Sequence, residues 1–198
     1  MKSKIIRKTK RLILRPLAKT DYLAWKTAHS TMLPPKNKWD SKNKDESKLT
    51  KSEFYLIVKD QDRRIKNEIY FYYALFNKKT GEYLGNCGVG NFVRSLTQSA
   101  FLGYSLFNNH WGKGYAEEAV NALIDIAFND HKLHRVVAGI EPGNKKSIRL
   151  VKKLGFRREG VAKRVVLLRD EWQDLVQYAL TTEDRKVKWT GSIEVRKK

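Results

Sequence analysis

Cysteine is almost absent from this chain: Cys87 stands alone among 198 residues. That excludes an internal disulfide and leaves no cysteine and histidine cluster with zinc-ligand spacing; a buried strand position is the expected role of one small thiol. Acidic residues are also scarce, 21 against 41 lysines and arginines, which leaves a formal charge of +20. A field of that sign raises the encounter rate with polyanions, whether nucleic acid, ribosome, acidic protein or a phosphorylated cofactor, without selecting among them. No apolar run reaches the roughly 18 residues that a membrane span needs, so no membrane partner is expected. The opening MKSKIIRKTKR is basic with no apolar stretch behind it; no secretory leader is expected, and a cytoplasmic location is. His131 and His134 straddle a predicted helix end and strand start with no third ligand in view, so no metal is expected either.

What remains is an ordinary globular composition, 41% apolar with 11% aromatic residues, and a length that suits one domain over residues 1–198. Positive charge gathers in a basic arm at 1–10, a long Lys/Pro loop at about 30–51 and a basic tail at about 185–198. These segments read either as solvated ends and loops or as docking surfaces for a ribosome or an acidic protein. RLILRPL, from Arg11, alternates apolar and basic residues and reads as a half-buried strand. A short helix through Trp25 to Ala28 follows, then the long loop, then a helix from about Ser52 to Asn67. Three strand-like runs come next, YFYYALFN, YLGNCGVGNFV and QSAFLGYSLF, the first two joined at KKTG. Behind HWGKGY, residues Ala116, Ala119, Val120, Leu123, Ile124, Ala127 and Phe128 recur at helical spacing and predict one buried face. HRVVAGIE reads as a buried strand. Asn144 would cap a helix that runs to Leu154 and stops at Gly155. Two strands, about 157–168 and 172–182, would pair through a tight turn at RDE.

The glycines of HWGKGYAEEAV pose the chemical question. A glycine-rich turn between a strand and a helix gathers free backbone N–H groups at the positive end of a helix dipole, which makes an anion site. Two phosphate loops fail on spacing. A Walker loop would need glycine where Phe107 stands, and a dinucleotide loop would need a third glycine where Glu117 stands.

Trp111-Gly112-Lys113-Gly114-Tyr115-Ala116 instead resembles motif A of the GNAT superfamily of N-acetyltransferases, in which such a segment wraps the pyrophosphate of acetyl-CoA. Trp111 replaces the usual Gln or Arg, and WGKGYA is similar to the branch that acetylates ribosomal-protein N-termini. The resemblance extends through Asn144, Ser147, Leu154, Gly155, Phe156, Glu159 and Gly160, with GYSLF before the loop and WQDLVQYAL near the end. It implies an α+β fold of three α/β layers. A mixed, mostly antiparallel central sheet of about seven strands, with about four helices, would be splayed between the fourth and fifth strands, Ser99 to Phe107 and Arg135 to Glu141. It also implies acetyl-CoA as cosubstrate. Loop amides from Gly112 to Ala116, with Trp111 and Lys113, would hold the diphosphate, and main-chain N–H groups near Tyr104 and Leu106 would face the thioester oxygen. Asn144 and Ser147 would serve the thiol end. Locally, Asn144 also reads as a plain helix cap and Ser147 as a polar first-turn residue.

Some relatives carry a carboxylate base where Val165 and Val166 stand here. Glu141, or a relay of water, would take that role. Asp174 matches a family position but reads first as a turn-stabilising side chain, and His110 as a solvated loop residue. An α-amino acceptor with a pKa of roughly 8 is about a tenth neutral at pH 7, so it needs little help, unlike a lysine near 10.4. The expected acceptor is a protein N-terminus. Another primary amine, or a non-catalytic module that binds acyl-CoA or nucleic acid on the same fold, is the alternative. The chain is expected to be a monomer or a homodimer.

Overall fold

The alternation of LILR is a strand in which Leu12 and Leu14 are fully buried while Ile13 and Arg15 are not. The structure is a computed structural model and describes residues 5–192. These fall into two compact units: residues up to Gly90 with Gly103–Leu123, and Asn91–Leu102 with the residues from Ile124 onward. The beginning of the basic arm and the end of the basic tail lie outside the described residues.

In the first unit, β1 (Arg7–Lys8) pairs with β2 (Leu12–Arg15), β2 with β3 (Tyr70–Asn77), and β3 with β4 (Tyr83–Val93), all antiparallel. The β3–β4 turn is KKTG. Asn77 Oδ1 accepts from the Lys79 and Thr80 amides at 2.9 and 3.2 Å, and Gly81 has φ +74°. Helices α1 (Tyr22–Ser30) and α2 (Lys51–Lys66) lay Trp25, Ala28, Phe54 and Val58 against Ala74, Phe76, Tyr83 and Phe107. The Thr50 hydroxyl caps α2 by accepting from the Glu53 amide at 3.2 Å. Gln61, buried on that helix, closes both backbone groups of Leu17, accepting at 2.9 Å and donating at 3.1 Å. An otherwise costly buried amide is thereby satisfied.

The first four residues of β5 (Ser99–Leu106) belong to the second unit and lie beside β6 (Arg135–Ile140); in that unit β6 pairs with β8 (Glu171–Thr181), and β8 with β7 (Arg157–Leu168). The β5–β6 ladder is parallel and comprises three pairs, Ser99↔Arg135, Ala100↔Val136 and Phe101↔Val137. These are the strands expected to part. β7 and β8 meet in a two-residue turn with Arg169 and Asp170 both at positive φ, +55° and +63°, the primed geometry that matches strand twist. α4 (Lys145–Lys153) buries Val151.

The strand order is β1-β2-β3-β4-β5-β6-β8-β7, a mixed sheet accompanied by four helices, the remaining one being α3 (Tyr115–Asp125). Among the described residues the sheet has eight strands, where about seven were expected. The added one, Arg7–Lys8, is held by backbone pairing after a turn at Thr9, whose amide donates to the Leu12 carbonyl at 2.9 Å. Its basic residues carry no apolar alternation to announce it. The helix expected through Phe128 also changes character. After Asp125 it widens into a π-turn, Ile126–Asp130. Ile126, Ala127 and Phe128 are all buried there, as Ala122, Leu123 and Ile124 are in the α-helical part.

Candidate functional site

β5 ends in Tyr104, Ser105 and Leu106, all half-buried, and passes through a 3-10 turn, Asn108–His110, into the glycine loop. Gly112 and Gly114 have φ +77° and +76°. A Cβ on Gly112 would meet nothing within 4 Å, so it is the left-handed backbone, and not crowding, that calls for glycine. Helix α3 starts at the next residue, Tyr115. The loop therefore brings a run of amides to the start of an eleven-residue helix, the arrangement that favours anions.

The loop is braced from several sides. Trp111 Nε1 donates to the Leu106 carbonyl at 2.8 Å, tying the loop to the strand end. Arg11 Nη1 donates to the Lys113 carbonyl at 2.7 Å, and Arg11 Nε donates to Glu118 Oε2 at 2.6 Å. The Arg11 guanidinium also lies 4.6 Å from the centroid of the Tyr115 ring. Asn77 Nδ2 donates to the Tyr115 hydroxyl at 3.4 Å. Burial alone would raise the Glu118 carboxyl, but hydrogen bonds from Thr9, the Arg11 amide and the Arg11 side chain hold it below the usual carboxylate range. Ala116 sits half-buried in the first helical turn.

The Lys/Pro segment is anchored beside this loop. Asp40, buried, accepts from the Lys36 amide at 2.8 Å and from Asn108 Nδ2 at 3.1 Å. Asn108 Nδ2 also reaches the Leu33 and Pro34 carbonyls, at 3.1 and 2.9 Å. The Ser41 and Ser105 hydroxyls lie 2.9 Å apart, which sets the segment against the end of β5. His110, expected to be solvated, is 6% exposed, and its Nε2 lies 3.4 Å from Glu82 Oε1. Burial outweighs the pull of Glu82, Lys113 adds to it, and the pKa lies below the usual histidine value.

The remaining expected residues lie in the second unit. Glu141 is 7% exposed, and its Oε2 accepts from Arg169 Nη2 at 2.5 Å. Asn144 is the cap of α4, with Oδ1 accepting from the Ser147 amide at 3.2 Å. Its own amide donates to the Glu141 carbonyl at 2.9 Å, so one short turn links all three. Asp174 accepts from the Arg164 amide at 2.9 Å and from Lys163 Nζ at 2.8 Å. Those bonds steady a bulge in β7 where Arg164 has φ +49°, the turn-stabilising role. Among the described residues no group of three or more histidine, cysteine, aspartate or glutamate side chains is placed to hold a metal ion, and no helix is long and apolar enough to cross a membrane.

Arg11, Glu118, Asn108 and Arg169 escaped the reading of the sequence. An acidic residue in the first turn of a predicted helix was the only signal for Glu118, and nothing in the chain pointed from it to a strand residue more than a hundred positions earlier.

Residues 11–157 match the family model described as the acetyltransferase (GNAT) domain. A probable N-acetyltransferase of Bacillus subtilis, YjcK, is 36% identical over 128 residues, which cover 65% of this chain and 70% of that protein. The Escherichia coli ribosomal protein uS5-alanine N-acetyltransferase is 38% identical over 120 residues, covering 61% of this chain and 60% of that enzyme. The structure of Mycobacterium smegmatis RimJ in complex with CoA-disulfide superimposes with a TM-score of 0.75 at 22% identity, over 90% of this chain and 88% of that one.

Proposed function

The chain belongs to the GNAT acetyltransferase family, and from that premise we propose that it transfers an acetyl group from acetyl-CoA to a protein N-terminal α-amino group, of the ribosomal-protein type. The observation that carries this reading is the left-handed turn at Gly112 and Gly114 directly before α3. A similarity to a uS5-alanine N-acetyltransferase supports the acceptor class.

Bound acetyl-CoA supplies an acetyl thioester, whose transfer forms an amide and releases a thiol. The amides of Gly112 to Ala116 receive the diphosphate, where an oriented row of donors needs no reorganisation. Trp111 keeps the loop joined to β5 through the Leu106 carbonyl, and the Lys113 ammonium adds positive charge at its rim. Main-chain N–H groups at Tyr104 and Leu106 stabilise negative charge on the acetyl oxygen. Asn144 orients the first turn of α4, and the Ser147 hydroxyl donates toward the leaving sulfur. Glu141, its carboxylate engaged by Arg169, collects the amine proton through a relay of water. No stronger base is required, since a free α-amino group is about a tenth neutral at pH 7.

The test is release of free thiol from acetyl-CoA with alanine- or serine-initiated peptides, set against spermidine and free amino acids. Turnover on the peptides alone is the expected result; turnover confined to the small amines overturns the acceptor class. Calorimetry is expected to show Gly114→Glu losing acetyl-CoA binding, because a carboxylate then stands against the diphosphate. Unchanged binding would remove the loop from the site.

A further inference from the structure

We propose that Arg11 is a positioning residue for the diphosphate cradle, one that sets the direction of the Gly114 amide. This rests on the reading of the glycine loop as the coenzyme's diphosphate site.

The guanidinium is fastened on three sides. Nε donates to Glu118 Oε2 at 2.6 Å, Nη1 donates to the Lys113 carbonyl at 2.7 Å, and Cζ lies 4.6 Å from the Tyr115 ring centroid. Its own backbone is pinned as well: the Arg11 amide donates to Glu118 Oε1 at 2.7 Å, and its carbonyl accepts from the Lys78 amide at 2.8 Å. In a planar trans peptide the C=O and N–H point in opposite directions. Holding the Lys113 carbonyl on Arg11 therefore turns the N–H of Gly114 away from Arg11. Gly114, with φ +76°, is free to swing without such a hold. Arg11 Nη2 lies 3.3 Å from the place a Gly114 Cβ would take, which brings the cation to the rim of the loop.

The same contacts deal with a second difficulty. Glu117 and Glu118 stand in the first turn of α3, where carboxylates favour an isolated helix but repel a bound diphosphate. The Glu118 carboxylate accepts from the Thr9 hydroxyl at 2.5 Å, from the Arg11 amide at 2.7 Å and from Arg11 Nε at 2.6 Å, which compensates its charge. Arg11 thus orients one amide donor and offsets the charge of Glu118.

The experiment compares wild type with Arg11→Gln and Arg11→Lys in the full chain. Calorimetry with CoA is paired with kcat/KM for acetyl-CoA and for acetyl-pantetheine, a donor without the diphosphate. Arg11→Gln is expected to weaken CoA about tenfold or more and to lower kcat/KM for acetyl-CoA by a much larger factor than kcat/KM for acetyl-pantetheine. Arg11→Lys keeps the charge but lacks the planar fork, so it is expected to recover only part of the loss. Full recovery by lysine overturns the positioning role in favour of charge alone. Equal losses on both donors overturn it in favour of a general structural role, and CoA binding unchanged in Arg11→Gln overturns it outright. Should Arg11→Gln melt below the assay temperature, Arg11→Lys carries the comparison. Wild type that fails to bind CoA is a different outcome: it removes the diphosphate reading itself, and the proposal with it.

Discussion

His29 shows how far a single side chain departs from its sequence context. It lies edge-on to Trp25 at 4.9 Å and to Phe107 at 5.0 Å, with Nδ1 buried and unpartnered among the described residues. Burial first, then Lys44, push its pKa down to about 4. The ring is neutral at pH 7. As pH falls below the ordinary histidine value the unfolded chain takes up a proton before the folded one does, so stability declines between about pH 6.5 and 4 and then levels. Partial exposure screens the effect, and the expected loss is on the order of 1–2 kcal/mol. Urea unfolding at neutral pH and near the lower limit of that window checks this: His29→Phe should flatten the difference, and an unchanged difference would assign it elsewhere. His110 makes the same point at the loop. Nothing in FNNH tells a solvated histidine from a buried one, because its cover comes from residues distant in the chain.

At the scale of elements, legibility followed the range of the encoding interactions. The face of α3 as far as Ile124, the KKTG turn and the Asn144 cap are each written within a few neighbouring residues, and each formed where the pattern placed it. The π-turn after Asp125 and the bulge at Arg164 were not legible, since both answer to packing and to Asp174 on the neighbouring strand. Asn144 and Ser147 separate structure from chemistry in the first turn of α4. Asn144→Ala removes the cap and is expected to lower stability by about 1 kcal/mol, read from the urea midpoint. Ser147→Ala leaves the backbone amide that Asn144 holds, so it should slow turnover more than it weakens CoA binding. Unchanged turnover in Ser147→Ala would strike that hydroxyl from the thiol end.

For the whole molecule the dominant quantity is charge, +20 across 198 residues. Such a field acts on association and not on the chemical step. Acceptor peptides with acidic residues behind the first few positions are therefore expected to show a rising KM and a steady kcat as ionic strength climbs from about 0.05 to 0.3 M, where the screening length shortens to within several ångströms. Neutral peptides should respond weakly. Equal salt responses for both would confine the charge to roles outside acceptor capture.

The amino-acid order by itself determined the family, the succession of strands and helices and the glycine turn, because periodicity, capping and left-handed backbone are properties of residues close together in the chain. Tertiary structure alone decided that Arg11 and Glu118 brace that turn, that Asn108 and Asp40 hold the Lys/Pro segment, and that Glu141 meets Arg169. Those partners share no local pattern. They become neighbours only when strand pairing and burial bring separate stretches of chain to one place, and a charge that reads as solvated in sequence then finds its counterion.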